Sequence, residues 1–363
     1  MTADKLPVSL PEYASRAAAL LDANARAYFE GGAADELTLA ANPRAWQEIA
    51  LLPRVLRPLA GGATTCHLLG RRLAHPILLA PVAHQCMAHP DGEIATACAA
   101  SAQGAGLVLS TQSSLSLEQV ASVVASDAER GPLWFQLYLQ HDANFNRDLV
   151  RRAEAAGYEA LVVTVDAPCS GARDRERRAG FELPPGISMP NLAGLPPRPR
   201  ASGGSPLFDG LLPGAPGWAE IAALCERTRL PVLLKGILHP DDAREALRCG
   251  ARGVIVSNHG GRTLDTSLAT AQALPAVADA VGDAMAVLVD GGIRRGTDVL
   301  KALALGAHAV LIGRPQIHGL VVAGAMGVAH VIRLLHDELE IAMALCGCSR
   351  IEDIDRRLLV AAG

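Results

Sequence analysis

The stretch "AVLVDGGIRRGTDVLKALALGAHAVLIGRP", residues 286–315, holds an apolar run, a glycine-rich turn, a helical pattern and a second apolar run ending in Gly313 and Arg314. Four-residue aliphatic runs closed by turn residues read as fully buried strands, and a helix between two of them implies parallel pairing. The same unit recurs along the chain, in "PILLAP" (76–81), "GLVLS" (106–110), "LWFQLY" (133–138), "ALVVTVD" (160–166), "PVLLKG" (231–236) and "GVIVS" (253–257). With the two runs of the opening stretch this makes eight strand–helix units, which predict closure into a TIM (β/α)8 barrel. An open doubly wound sheet is disfavoured, because no G-x-G-x-x-G follows the first strand and polar residues follow every strand rather than one crossover.

Working outward, residues 1–60 read as an N-terminal helical cap and residues 61–363 as the barrel. Between the fourth and fifth strands a segment rich in proline, glycine and serine, about 182–217, reads equally as a lid over the site or as a passive surface insertion. Hydrophobic residues at 50%, charged at 19% and aromatic at 3% exclude a disordered chain and predict an aliphatic core. A net charge of -4 provides no general attraction for nucleic acid or anionic lipid, so neither is an expected partner. The N-terminus shows no basic segment followed by an apolar core and cleavage site, and a cytoplasmic location is expected. The uncharged run 315–332 is interrupted by His318, His330 and glycines, and reads as a buried helix rather than a membrane span. Eight cysteines without a C-x-x-C pair point to reduced thiols and no metal centre.

Barrel enzymes carry their chemistry at the C-terminal strand ends. Here those ends bring Pro81, Val82 and Ala83, Ser110, Gln136 and Tyr138, Thr164 and Asp166, Lys235, Ser257 and His259, Asp290 to Arg294, and Gly313 with Arg314. "DGGIRRG" and "IGRP" follow the last two strands, where barrels hold phosphate with glycine amides, a helix N-terminus and arginines. Lys235 can form a Schiff base, hold an anionic ring, or pair structurally with Asp166. His259 suits a general base whose cation Asp166 stabilises. Arg262 suits bidentate capture of a carboxylate. Arg173 either supplies a second clamp or belongs to a solvated basic face with Arg175, Arg177 and Arg178.

The motifs "VSNHGGRTLD", "VDGGIRRGTDVLKALALGA", "IGRP", "LKG", "APVAHQCMAHPDGE" and "FQLY" resemble the FMN-dependent 2-hydroxy acid oxidase/dehydrogenase family, which includes glycolate oxidase, lactate oxidase and mandelate dehydrogenase. The resemblance runs from about residue 8 to the C-terminus. It implies His259 as the active-site base, Asp166 as the partner of its cation, Arg262 and Arg173 as substrate-carboxylate arginines, and Tyr28 and Tyr138 reaching the substrate from the rim. For FMN it implies Pro81, Val82, Ala83, Ser110, Gln136 and Thr164 along the flavin, with Lys235 and Ser257 at its ring. Asp290, Gly291, Gly292, Arg294, Gly313 and Arg314 would hold the ribityl phosphate end. Four positions depart from the family pattern: Ala172 replaces the first arginine of an Arg-Arg pair, Gln112 stands where glycolate oxidase has tryptophan, and His84 and Cys86 are unusual in the first loop.

The expected activity is FMN-dependent oxidation of an L-2-hydroxy acid to the 2-oxo acid, with oxygen as acceptor and hydrogen peroxide as product. Gln112 and the long insertion point to substrates larger than glycolate. Transfer to a quinone or cytochrome is the alternative within the enzyme class, and a non-catalytic flavin-binding scaffold the alternative outside it. The resemblance also implies a homotetramer.

Overall fold

The computed structural model describes residues 5–198 and 204–361. Eight parallel strands close into a barrel: β1 (Ile77–Leu79), β2 (Gly106–Leu109), β3 (Leu133–Leu137), β4 (Ala160–Thr164), β5 (Val232–Ile237), β6 (Gly253–Val256), β7 (Ala286–Val289) and β8 (Ala309–Ile312). Each pairs with its sequence neighbour, and β8 closes onto β1 through Val310 opposite Ile77. The expected fold is therefore present, with all eight apolar runs as its staves.

Alternation along each strand explains why the runs are uninterrupted. Leu78, Val108, Trp134, Val162, Leu233, Ile255, Leu288 and Leu311 fill the barrel interior, while Ile77, Leu79, Leu107, Leu109, Leu161 and Val163 pack outward against helices. Both faces are dry, and fully burying each such side chain contributes about 1.5–3 kcal/mol. A hairpin of Cys66–Leu68 with Arg71–Leu73, unforeseen in the sequence, places Leu68 and Leu73 against the interior cluster.

Three helices precede the barrel: α1 (Leu10–Leu20), α2 (Ala23–Glu30) and α3 (Leu37–Gln47). Ser9 and Asp22 cap the first two through their side chains. Tyr13 and Trp46 are wholly buried, and Trp46 Nε1 donates to Gly291 O at 2.8 Å, which seats α3 on the end of β7. A short strand, Ile49–Leu51, pairs antiparallel with Leu359–Ala361 and ties the chain's two ends together.

The run 315–332 lies within the helix Arg314–Cys346, which bends at Ala323 and Gly324 where the dihedrals leave helical values. It is long and apolar enough to cross a membrane, but half of its most apolar window is buried, and it packs on α1 and on the helix Gly92–Ala102. All eight cysteines are unpaired.

After β4 come a short helix, Asp174–Ala179, and a segment of isolated turns. Asn191, fully buried, fixes that segment by accepting from Leu117 N at 2.9 Å and donating to Ser113 Oγ at 2.9 Å. Residues 199–203 of the expected lid lie outside the described residues. Farther along, Leu211 and Pro216 wall a cavity of about 550 Å³ that shares Gln112, Tyr138, Arg173 and His259 with the central site.

Candidate active site

A cavity of about 300 Å³ opens at the C-terminal end of the barrel. Every residue expected at the site lines it except Asp166, which stands behind His259, and Val-flanked Ser257, which is wholly buried. Ser257, expected at the flavin ring, lies just behind this lining. Its Oγ accepts from Lys235 Nζ at 2.8 Å and from His259 N at 3.1 Å, so it fixes those two residues from below.

His259 begins three consecutive left-handed residues, with φ of 58° at His259, 64° at Gly260 and 74° at Gly261. A Cβ on Gly261 would lie 2.6 Å from Leu39 N, so α3 leaves room only for glycine there. The turn aims the imidazole back across the barrel mouth. Its Nδ1 lies 3.0 Å from Asp166 Oδ1, and its Nε2 lies 3.4 Å from the Tyr138 hydroxyl. Burial alone would raise the Asp166 pKa, but the facing His259 and Lys235 outweigh it and hold the carboxyl below its ordinary range. Burial raises the phenols of Tyr138 and Tyr28 and keeps them protonated.

Lys235 is buried, and its ion pair is with Asp290, Nζ to Oδ2 at 3.0 Å, rather than with Asp166. Burial favours the neutral amine, yet Asp290 and then Asp166 hold the ammonium above its ordinary pKa. A persistently charged lysine is a poor Schiff-base nucleophile, so Lys235 stands as a paired cation on the cavity wall. Asp290, expected at the ribityl phosphate end, lines the cavity and holds Lys235 through Oδ2.

Arg262 and Arg173 converge. Arg262 donates to the Tyr28 and Gly31 carbonyls, and its guanidinium carbon lies 4.9 Å from the Tyr28 ring centre. Those carbonyls belong to the C-terminal end of α2, where helical acceptors lack partners, so the arginine also docks the cap. Glu176 joins the arginines: its Oε1 accepts from Arg173 Nη1 at 2.9 Å and from Arg262 Nη2 at 3.2 Å. Burial, then Arg173, lowers the Arg262 pKa. Arg173 is thus not part of a solvated face; Arg177 and Arg178, which are, pair with Asp174 at the surface. Sequence reading missed Glu176. Its signal was its place three residues after Arg173 at the start of a helix.

At the far end Arg314 is half-buried, and it donates from Nε to Phe29 O at 3.0 Å, from Nη1 to Gly260 O at 2.9 Å and from Nη2 to Gly31 O at 2.9 Å. Burial, then Arg262 and Arg294, brings its pKa down to about 9, the mark of positive charge crowded without enough counterions. Glycines 291 and 292 have φ of 92° and 83°, and a Cβ on Gly292 would lie 2.5 Å from the Asn42 backbone. Their requirement for glycine comes from the turn and from α3 rather than from ligand approach. Gly313 is different: an added Cβ would meet nothing nearer than 3.9 Å, so this backbone faces open cavity.

FMN brings a phosphate, a hydroxylated chain and a polar ring, and the donor set fits all three. Arg294 and Arg314 supply half-buried cations on the cavity wall with N–H groups to spare. Asp290 Oδ1 is a buried acceptor with no partner among the described residues, suited to hydroxyl donors. Lys235 meets the ring's need for a cation. Beside it, Gln136 is held by Thr164, to whose Oγ1 it donates at 2.9 Å, and by Ser110 Oγ, from which it accepts at 3.3 Å.

Comparison with known proteins agrees. The sequence profile of the family described as FMN-dependent dehydrogenase matches residues 17–361. The chain is 48% identical over 364 residues to an L-lactate oxidase of a Nostoc species, covering 99% of this chain and 100% of that protein. It is 43% identical to the glycolate oxidase of Spinacia oleracea, covering 92% and 90%. A crystal structure of mandelate oxidase with (S)-2-phenylpropionate superimposes with a TM-score of 0.87 at 42% identity, covering 98% of each chain. With its closed barrel, its anion-holding end and its histidine–carboxylate pair facing two arginines, the chain belongs to the FMN-dependent dehydrogenase family.

Proposed function

We propose that the protein oxidises a short L-2-hydroxy acid to the 2-oxo acid and passes the electrons to oxygen, giving hydrogen peroxide. The observation that carries this reading is the convergence of Arg173, Arg262, Tyr138 and the Asp166-backed His259 on one cavity. Removing two electrons and two protons from a 2-hydroxy acid calls for an anion clamp, a base and an electron acceptor, and the first two are present as side chains.

Bound FMN supplies the two-electron acceptor. Arg262 and Arg173 bind and orient the substrate carboxylate, exchanging part of their contact with Glu176 for it. His259 takes a proton from the substrate at Nε2, and Asp166 stabilises the resulting cation at Nδ1. Tyr138, protonated and beside Nε2, donates a hydrogen bond toward the substrate oxygen. Lys235 holds positive charge at the cavity wall throughout.

Three relatives named L-lactate oxidase, at 48–50% identity, support oxygen as acceptor and a substrate larger than glycolate, as does Gln112 in place of tryptophan. A homotetramer is part of the same proposal, supported by the exposed apolar side chains Met326, Ile341 and Leu345 on the C-terminal helix. The test is anaerobic mixing of the holoenzyme with L-lactate, glycolate and L-mandelate, followed by admission of oxygen. Bleaching by lactate faster than by glycolate, then recolouring with peroxide release, is expected. No bleaching by any acid, or bleached flavin that oxygen does not recolour, overturns it.

A further inference from the structure

Two polar side chains on the cavity wall have no role in the chemistry above. His84 follows β1, is 7% exposed, and its Nδ1 is buried without a partner. Gln112 follows β2 and lines both the central cavity and the one walled by Leu211 and Pro216. Neither imidazole nor carboxamide makes a side-chain hydrogen bond among the described residues.

Their positions are fixed by the backbone rather than by chance. His84 N donates to Gln112 O at 3.2 Å, and Gln112 N donates to Ser110 Oγ at 3.1 Å. The next residue, Gln85, is anchored through its amide to Glu93 Oε1 at 3.0 Å and through its side chain to Thr96 Oγ1 at 2.6 Å. His84 itself sits at a left-handed φ of 55°, its ring 5.6 Å from that of Tyr28. Buried polar groups in folded proteins almost always have partners, and leaving them dry and unpaired is costly. A wall that needed only to enclose a methyl group would be served by aliphatic side chains. The buried His84 Nδ1 lacks a partner, and the half-buried Gln112 carboxamide, on the lining of both cavities, leaves its donors and acceptor free for a polar ligand.

We propose that His84 and Gln112 form the side-chain recognition wall, selecting 2-hydroxy acids that carry a neutral oxygen substituent, hydroxyl or carbonyl, on C3. The proposal rests on the reading of the site as a 2-hydroxy acid oxidase. The group is neutral because Arg173 and Arg262 serve the carboxylate, and burial depresses the His84 pKa and keeps its ring uncharged. The adjoining cavity of about 550 Å³ gives the substituent room.

The test compares L-glycerate with L-2-hydroxybutyrate, which differ by a hydroxyl in place of a methyl, using kcat/KM for flavin reduction in the holoenzyme. The parent should favour L-glycerate by about tenfold or more, since a site that hydrogen-bonds a hydroxyl penalises an analogue lacking it. Gln112→Leu and His84→Leu, each checked for FMN content, should shift the ratio toward L-2-hydroxybutyrate. A parent that treats the two acids alike or favours the methyl compound overturns the proposal, whatever the variants do. If the parent discriminates but both FMN-loaded variants keep its ratio, the wall is not the cause and the proposal fails. If neither acid bleaches the flavin while L-lactate does, the wall proposal alone fails; if L-lactate fails too, the 2-hydroxy acid reading fails with it.

Discussion

A Cβ placed on Gly236 would lie 2.4 Å from Asp166 Cβ and 2.5 Å from Asp166 Cγ, so the glycine after Lys235 is what lets the carboxylate stand against His259. Its φ of 111° adds a second reason, since residues with a side chain rarely adopt it. Gly236→Ala should lower stability by about 1–3 kcal/mol and displace Asp166. The limiting rate of flavin reduction, measured by stopped flow, should fall at least about tenfold with FMN still bound. An unchanged rate would separate Gly236 from the catalytic pair.

The depressed pKa of Asp166 has a definite sign in stability. Unfolded, the carboxyl titrates near about 3.9; folded, it titrates lower. As pH falls the unfolded chain takes up the proton first, so the ionised group stabilises the fold fully above the unfolded value, and this is lost as pH drops through the folded one. Asp166→Asn should therefore be less stable than the parent at about pH 7, with the gap closing below about pH 4. Denaturant titrations across that range measure it, and a gap that widens toward acid would contradict the assignment.

Lys235 and Asp290 make a buried ion pair, and removing one member strands the other's charge. Lys235→Met should cost about 3–5 kcal/mol, measured at saturating FMN. Adding Asp290→Asn to it removes the stranded charge, so the double variant should be more stable than Lys235→Met alone. Additive losses would show that the two residues do not act as a pair.

Glu176 sets the charge of the carboxylate clamp. Glu176→Gln keeps its shape and removes its negative charge, leaving Arg173 and Arg262 less neutralised. Oxalate, an anion that cannot be oxidised by proton abstraction from carbon or a hydroxyl, should bind the variant several-fold more tightly in a flavin-perturbation titration. Weaker oxalate binding would mean that Glu176 serves only to hold the arginines in place.

Much of this was legible in the sequence because parallel barrel strands are buried on both faces, and "ALVVT" or "AVLI" then stands out without any periodicity to decode. Strand ends were legible for the same reason, and they located the site. What a strand end does not reveal is where a side chain points. Ser257 and Asp290 both engage Lys235, Ser257 from behind the lining and Asp290 from the cavity wall, and Gly292 answers to α3, a helix distant in sequence. Glu176 stayed hidden because its meaning depends on Arg262, 86 residues away. The hairpin of Cys66–Leu68 and Arg71–Leu73 was too short, and too interrupted by charge, to register.

His259 and Arg262 should fail in different ways when removed. His259→Ala leaves both arginines and their contacts to α2 in place, so FMN and substrate should still bind. Flavin reduction should slow by about 10²–10⁴-fold, the usual contribution of a positioned base. Arg262→Ala removes a carboxylate donor and also the partner of the Tyr28 and Gly31 carbonyls, so substrate affinity and the docking of α2 should weaken together. Its melting temperature should fall while that of His259→Ala changes less. Arg262→Lys restores charge without the planar fork that reaches two carbonyls and Glu176 at once, and should recover only part of either property. Stopped-flow bleaching against substrate concentration separates apparent affinity from limiting rate. If His259→Ala reduced its flavin near the parent rate, the base would have to be sought elsewhere, with Tyr138, 3.4 Å from His259 Nε2, the next residue to remove.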